Sequence, residues 1–223
     1  MPREQYQDSL DELRADVLAM GDQVIGQVER SLDAAERRDE SLAKKVVDAD
    51  AAVNETYLRL EDRCVDLFAL QQPVAGDLRL VTASFKIITD LERIGDLAVN
   101  LADYLRTATR TLSPEVQLDA IGEAARDLLE RSLAAYEAED AAACRAVAAD
   151  DDEVDALCQR ASESVTRDLI AGTDGDGWEA ERLLDDVSRV LLTIRDLERI
   201  ADHAVNIAAR TLYMIENDPE LLY

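Results

Sequence analysis

The chain has 223 residues, of which 48% are hydrophobic and 4% aromatic, and it carries a net charge of −25 at pH 7. This acidity leaves no basic stripe to meet phosphate groups, which disfavours direct nucleic-acid binding. No apolar run approaches the roughly 18 residues of a membrane-spanning helix, and the polar start MPREQYQDSLDEL matches neither a signal peptide nor a basic transit sequence.

The basic residues and the cysteines indicate the cellular environment of the protein. Only three of the 24 cations are lysines, at Lys44, Lys45 and Lys86, which leaves 21 arginines. Lysine depletion beside excess carboxylates indicates adaptation to a salty, halophilic cytoplasm, where ions screen self-repulsion. An acidic mesophilic protein is the alternative. Three cysteines without a paired spacing indicate reduced, buried thiols and a cytoplasmic location.

Long helices are expected throughout the chain. Eight glycines and four prolines are few for this length, so tight turns are scarce and an all-α fold is favoured. Six long helices are predicted, in chain order over residues 4–37, 40–71, 74–111, 115–138, 141–171 and 177–215.

The breaks between these helices have their own sequence signals. Pro73 suits the first turn of the third helix. Ser113, followed by proline and an acid, forms an N-cap signal before the fourth helix. Asp39 and Asp140 fall where they can cap the second and fifth helices. The Asn-Asp-Pro sequence at 217–219 is expected to end the sixth helix.

An internal repeat divides the chain into two similar halves. Residues 90–102 read DLERIGDLAVNLA and residues 196–208 read DLERIADHAVNIA, so ten of thirteen positions are identical at an offset of 106. A fainter upstream match has an offset of 101, and the five-residue difference falls in segment 171–178. The sequence therefore predicts two tandem three-helix bundles, over residues 1–112 and 113–223.

Each half carries side-chain oxygens at helical spacing. Residues four positions apart lie on one helix face, so their oxygens project the same way. If the second and third helices of a unit pack antiparallel, each half presents two ladders suited to iron, manganese, magnesium or calcium. The ladders are Asp50-Asn54 with Glu92-Asp96-Asn100 in the first half, and Asp151-Asp155 with Glu198-Asp202-Asn206 in the second.

A plainer explanation competes with metal binding. Acids make up about 22% of the chain (49 of 223), so two of them four residues apart are common. Arg93 and Arg199 lie beside the acids and can form a surface salt-bridge network. The single histidine, His203, replaces Leu97 of the first half, and an isolated helical histidine is most often structural or exposed. The chain has no Ser/His/Asp or Cys/His set and no phosphate-cradling glycine loop, so an enzyme is not expected.

Residues 71–102, QQPVAGDLRLVTASFKIITDLERIGDLAVNLA, closely resemble the PhoU family. Members pair a Q-x-P-x-x-x-D-L-R entry into the third helix with an E-R-I-G-D core. The second half repeats the core from Glu198 to Asp202 but reads AERLLDDVSRVLLTIRD in place of the entry. The resemblance covers essentially the whole chain and implies two three-helix bundles related by an internal pseudo-twofold axis.

The resemblance also implies multinuclear metal clusters, with iron or zinc as the metals reported in the family. Carried over by position, the ligands are Asp50, Glu92 and Asp96 in the first half and Asp151, Asp155, Glu198 and Asp202 in the second. Asn54, Asn100 and Asn206 are weaker ligands. Because Asn54 departs from the acidic pattern, the first site is expected to bind metal less tightly.

The family's role is regulatory, so the resemblance implies a non-enzymatic adaptor in phosphate uptake and phosphate-starvation signalling. Its expected partners are the ATPase subunit of the phosphate ABC transporter and, where present, a sensor histidine kinase. The adaptor would dock peripherally on a membrane complex. Whether it also forms a homodimer is left open by the sequence. A metal-storage protein and a structural scaffold with an acidic, salt-adapted surface are the rival functions.

Overall fold

The computed structural model describes residues 3–70, 74–106, 116–171 and 177–222, and in these ranges it contains six long α-helices and no strand. The helices are α1 (Arg3–Arg37), α2 (Glu40–Leu70), α3 (Ala75–Arg106), α4 (Leu118–Ala138), α5 (Ala141–Ala171) and α6 (Gly177–Glu216). The all-α prediction is confirmed, and most predicted helix ends fall within one or two residues of the observed ones.

One helix end differs more from the prediction, and another predicted end lies outside the described residues. α4 begins at Leu118, because Val116 and Gln117 are not helical, whereas the sequence predicted a start at residue 115. α3 is described as far as Arg106, five residues before its predicted end. The Ser113 cap signal, Pro73 and the predicted boundary between residues 112 and 113 lie outside the described residues.

The six helices form two three-helix groups that share one interior. Within the described residues α2 packs only against α1 and α3, and α5 packs only against α4 and α6. The halves meet through α1 against α4 and α3 against α6, so these four helices form the middle of the molecule. One apolar core runs through both halves and contains large, fully buried side chains such as Leu13, Ile94 and Leu129.

Reciprocal contacts show the pseudo-twofold relation between the halves. A Cβ at Gly21 of α1 would lie 2.6 Å from Leu133 of α4, and a Cβ at Gly122 of α4 would lie 2.6 Å from Leu32 of α1. Gly21 and Gly122 are 101 positions apart, as are Leu32 and Leu133. Each half therefore seats its leucine against the other's glycine, which is how a twofold contact is built.

The short turns repeat with the same symmetry. The Asp39 carboxylate accepts hydrogen bonds from the backbone N–H groups of residues 41 and 42, at 2.9 and 3.1 Å. Asp140 does the same for residues 142 and 143, at 2.9 and 3.0 Å. Both predicted caps are confirmed. The residues before them, Arg38 and Glu139, have φ of 50° and 51°, as expected at a helix C-terminus.

The last helix ends as predicted, and the thiols are buried. α6 stops at Glu216, and Asn217 has a φ of 56°. The free cysteines Cys64, Cys144 and Cys158 lie in the interior. None of the described helices combines the length and apolarity needed to cross a bilayer.

Candidate functional site

The second half gathers four acids on neighbouring faces of α5 and α6, named here the second cluster: Asp151, Asp155, Glu198 and Asp202. Burial, then the charges of Asp155 and Asp202, raise the pKa of Asp151 from 3.8 to about 6. Burial, followed by Asp155, also raises the pKa of Glu198 and of Asp202. Mutual repulsion of this kind shows that all four predicted residues lie close together.

The first half gathers three acids in the same way, named here the first cluster: Asp50, Glu92 and Asp96. The pKa of Glu92 is raised by burial first, then by Asp96, and Asp50 adds to the rise while Arg93 opposes it. The Arg93 guanidinium lies 3.6 Å from a Glu92 oxygen and donates to Asp96 at 3.3 Å. An arginine therefore offsets part of the negative charge, as the salt-bridge interpretation expected.

Asp50 is supplied with hydrogen-bond donors. The Asn54 amide donates to Asp50 at 2.9 Å, and the Gln27 amide of α1 donates to it at 3.4 Å. Gly95 lets these groups approach α3, because a Cβ there would lie 3.3 Å from the Gln27 oxygen and 3.4 Å from Val53. Asn54 and Gln27 thus satisfy acceptor positions on both oxygens of the Asp50 carboxylate.

Asp151, the counterpart of Asp50, lacks this support. At an offset of 101, the position of Asn54 is taken by Asp155 and that of Gln27 by the apolar Leu128. One Asp151 oxygen, Oδ1, is buried without a hydrogen-bond partner. The two clusters therefore occupy equivalent places but differ chemically, and the second is the one with a buried carboxylate oxygen that has no hydrogen-bond partner.

The asparagines predicted as weaker ligands are placed differently. Asn206 donates to Asp90 of α3 at 3.5 Å, across the boundary between the halves. His203 lies beside it, with Nδ1 2.8 Å from the same Asp90 oxygen. Asn100 is half-buried on α3. The lone histidine therefore lies in a contact that joins the two halves.

Asp196 is the residue of the second half that corresponds to Asp90, and the position matching His203 is not a histidine. The residue that corresponds to His203 is Leu97. Asp196 is fully buried; one of its oxygens, Oδ1, accepts from Arg195 at 3.1 Å, and the other has no partner. The two halves thus differ at their shared boundary as well as at the clusters.

Sequence reasoning did not identify two neighbours of the clusters. Gln27 was missed, although a polar residue in the buried series Val24, Gln27, Val28 and Ser31 of α1 was a usable signal. Cys158 was assigned only to the core, yet its pKa is raised to about 12 by burial and then by Glu198. This thiol therefore stays protonated at neutral pH in the metal-free protein.

The carboxylate donors of the clusters suit a cation, although their side chains do not converge on a common point. Among the described residues, no three His, Cys, Asp or Glu side chains surround a common point at metal-binding distance. The second cluster nevertheless offers an unpartnered buried oxygen on Asp151 and three further carboxylates that repel it. A bound cation would neutralise that repulsion, and an all-oxygen donor set fits hard or borderline ions. The donor chemistry is therefore compatible with iron, whereas the positions of the described side chains do not form a metal site.

The fold and clusters define a class: a duplicated all-α protein whose halves each hold an acidic cluster between their second and third helices. The PhoU domain model matches residues 17–105 and again residues 118–211. The chain belongs to the PhoU family. Both matches include the complete cluster of their half.

Individual relatives match nearly the whole of this chain. The chain is 33% identical over 215 residues to a "Phosphate-specific transport system accessory protein PhoU homolog" of Pseudomonas putida, covering 95% of this chain and 81% of the relative. The crystal structure of PhoU from Pseudomonas aeruginosa superposes with a TM-score of 0.85 at 30% identity, over 96% of this chain and 100% of that one. The phosphate transport system regulatory protein PhoU from Streptococcus pneumoniae gives 0.85 at 25% identity, over 96% and 98%.

Proposed function

We propose that the chain is a non-enzymatic regulator of phosphate uptake and phosphate-starvation signalling. The observation that carries this proposal is the family match in both halves, over residues 17–105 and 118–211. Relatives that match nearly the whole chain carry the name of phosphate-specific transport system accessory proteins. The proposed location is the cytoplasm, with the chain docked peripherally on a membrane complex.

The proposed partners follow from the same family role. They are the ATPase subunit of the phosphate ABC transporter and, in organisms that have one, a sensor histidine kinase. An adaptor of this kind needs exposed helix faces rather than a catalytic cleft. The outer faces of α2 and α5 meet this need, since each of these helices packs only within its own half.

A metal-dependent adaptor is the finer form of the proposal. The first cluster would hold a cation through Asp50, Glu92 and Asp96, and the second through its four acids. Bound metal would supply positive charge that locks α2 to α3 and α5 to α6. Iron, manganese, magnesium and calcium suit the oxygen donors, whereas structural zinc sites favour the Cys and His ligands that these clusters lack. Zinc is included in the test because the family uses it.

Co-purification tests the partner. The full chain is immobilised and offered the purified ATPase subunit at high and at low phosphate, with salt held constant. The proposal expects retention that depends on phosphate. Equal retention at both concentrations, or none, removes the transporter as the regulated partner.

Elemental analysis tests the metal, using protein purified without chelator or metal-affinity resin. We expect bound metal to fall strongly in Glu198→Gln with Asp202→Asn. The matched change in the first cluster, Glu92→Gln with Asp96→Asn, should remove less, because the first cluster holds metal less tightly. Unchanged metal content in both double variants would reject the site assignment. Metal binding without any ATPase retention would favour the metal-storage function instead.

A further inference from the structure

The outer face of α2 carries an exposed apolar strip. Val47, Leu58, Val65 and Phe68 are 39%, 58%, 52% and 37% exposed. At about 100° per residue these four positions fall within roughly 80° of one another and form one line along the helix, in the same arc as the half-buried polar residues Asp50, Asn54 and Glu61. The line extends about 30 Å at 1.5 Å per residue. We call these four residues the α2 strip.

The middle of the strip, Leu58 and Val65, is not required by the fold, because the duplicated unit lacks it, whereas the end positions stay apolar as Ala148 and Leu169. The core positions agree between the halves, with Val46 matching Val147 and Val53 matching Val154, all fully or nearly fully buried. On the outer face the agreement ends. Leu58 is replaced by Gln159 and Val65 by Thr166, both exposed and polar. Water-facing leucine and valine on α2 therefore serve something other than packing within the unit.

A row of acids runs beside the strip. Its members are exposed residues of α2 on the side that faces α1: Asp48, Glu55, Asp62 and Asp66. Arg59 and Arg63, further round the helix, bind Asp16 of α1 at 3.3 and 2.6 Å. These arginines are thus engaged elsewhere, and the acidic row keeps its negative charge next to the apolar line.

We propose that the α2 strip is the docking site for a basic amphipathic helix of another protein. An apolar seam on that helix would cover the strip, and lysines or arginines on one flank would meet the acidic row. A second copy of this chain is a poorer occupant than a basic helix, because it would bring a like-charged acidic row to the contact. The proposal goes beyond phosphate regulation and needs no metal in either cluster.

The test uses labelled synthetic peptides of about 20 residues, the length of helix that covers 30 Å. One peptide has a leucine seam with lysine and arginine flanks, a second has the same seam with glutamate flanks, and a third is a scramble of the first. Fluorescence polarisation with the full chain reports binding over a series of KCl concentrations. We expect binding of the first peptide only, weakening as salt rises.

Variants locate the site. Leu58→Gln with Val65→Thr gives α2 the residues of α5 and should weaken binding about tenfold or more, because two apolar contacts are lost. Asp62→Asn with Asp66→Asn should weaken binding about two- to fivefold and flatten its salt dependence. The control, Ile170→Gln, removes a 70% exposed apolar residue on α5 and should leave binding unchanged.

Three results overturn the proposal. The scrambled peptide could bind as well as the first, which would reduce the effect to general acidity. The Leu58→Gln and Val65→Thr change could leave affinity unchanged while circular dichroism shows an intact fold. Finally, sedimentation could reveal a dimer that strengthens with salt and is lost in that same variant, which would make a second copy the occupant.

Discussion

Neutralising the same carboxylate in each half should have opposite effects on stability. Asp151→Asn removes a charge whose Oδ1 is buried and unpartnered, whereas Asp50→Asn removes one that accepts from Asn54 and Gln27. The first change should therefore stabilise the metal-free protein, and the second should destabilise it by about 1 kcal/mol through weaker hydrogen bonds.

The size of the Asp151 effect follows from its pKa. A rise from 3.8 to about 6 corresponds to about 3 kcal/mol at 1.36 kcal/mol per unit. Because Asp151 is only half-buried, solvent screening reduces this to about 1–2 kcal/mol. The folded protein holds this proton more tightly than the unfolded chain, so the free energy of unfolding falls as pH rises from 3.8 to about 6.

Urea denaturation of chelator-treated protein at constant KCl measures the effect. At pH 7.5 Asp151→Asn should raise the free energy of unfolding, and the gain should fade as the pH drops through about 6, because Asp151 itself becomes neutral. Asp50→Asn serves as the matched control. Equal destabilisation by both variants at pH 7.5 would refute the idea that the halves differ in hydrogen-bond support.

Three further changes probe the contacts that hold the fold, each by urea denaturation. Gly21→Val should cost about 1–3 kcal/mol by crowding Leu133, and Leu133→Ala in the same chain should recover part of the loss, giving a non-additive double-mutant cycle. Asp140→Ala should cost about 1 kcal/mol by removing the cap of α5, and an unchanged midpoint would contradict that role. Tyr136→Phe should cost about 1 kcal/mol, because it removes a buried 2.7 Å hydrogen bond to Ser84; no loss would show that the bond adds nothing net.

Much of the fold was predictable because its signals are local. The caps at Asp39 and Asp140, and the sequence that stops α6, act within a few residues of the helix ends they define. The repeat at an offset of 106 then extended these local signals to the whole architecture. The start of α4 was predicted three residues early, since a Ser-Pro-Glu signal marks where a helix can begin and not where it does.

The membership of the clusters was predictable from periodicity, but their chemical difference was not. Four-residue spacing places Glu198 and Asp202 on one face whatever surrounds that face. Whether a carboxylate accepts a hydrogen bond here depends on a side chain from another helix, as with Gln27 of α1, which donates to Asp50. Such a contact depends on the rotation of α1 within the bundle, which a hydrophobic stripe fixes only coarsely.

The contact between His203 and Asp90 was even less predictable from the sequence. These residues are 113 positions apart and belong to different halves. Their contact depends on how α3 lies against α6, and the repeat alone does not specify that arrangement. The sequence showed a histidine in place of Leu97; the structure shows that the replacement gives Asp90 a partner that Asp196 lacks.

Between α1 and α4, a leucine of each half packs against a glycine of the other half. Two identical single-unit chains would form this same contact with each other. An ancestor of that kind would exist as a homodimer whose folded fraction depends on its concentration. Joining the copies removes that dependence. It also frees each copy to change alone, whereas a substitution in a homodimer alters both sides at once. Asn54 corresponds to Asp155, and Leu58 to Gln159; a homodimer of one sequence could not keep these differences.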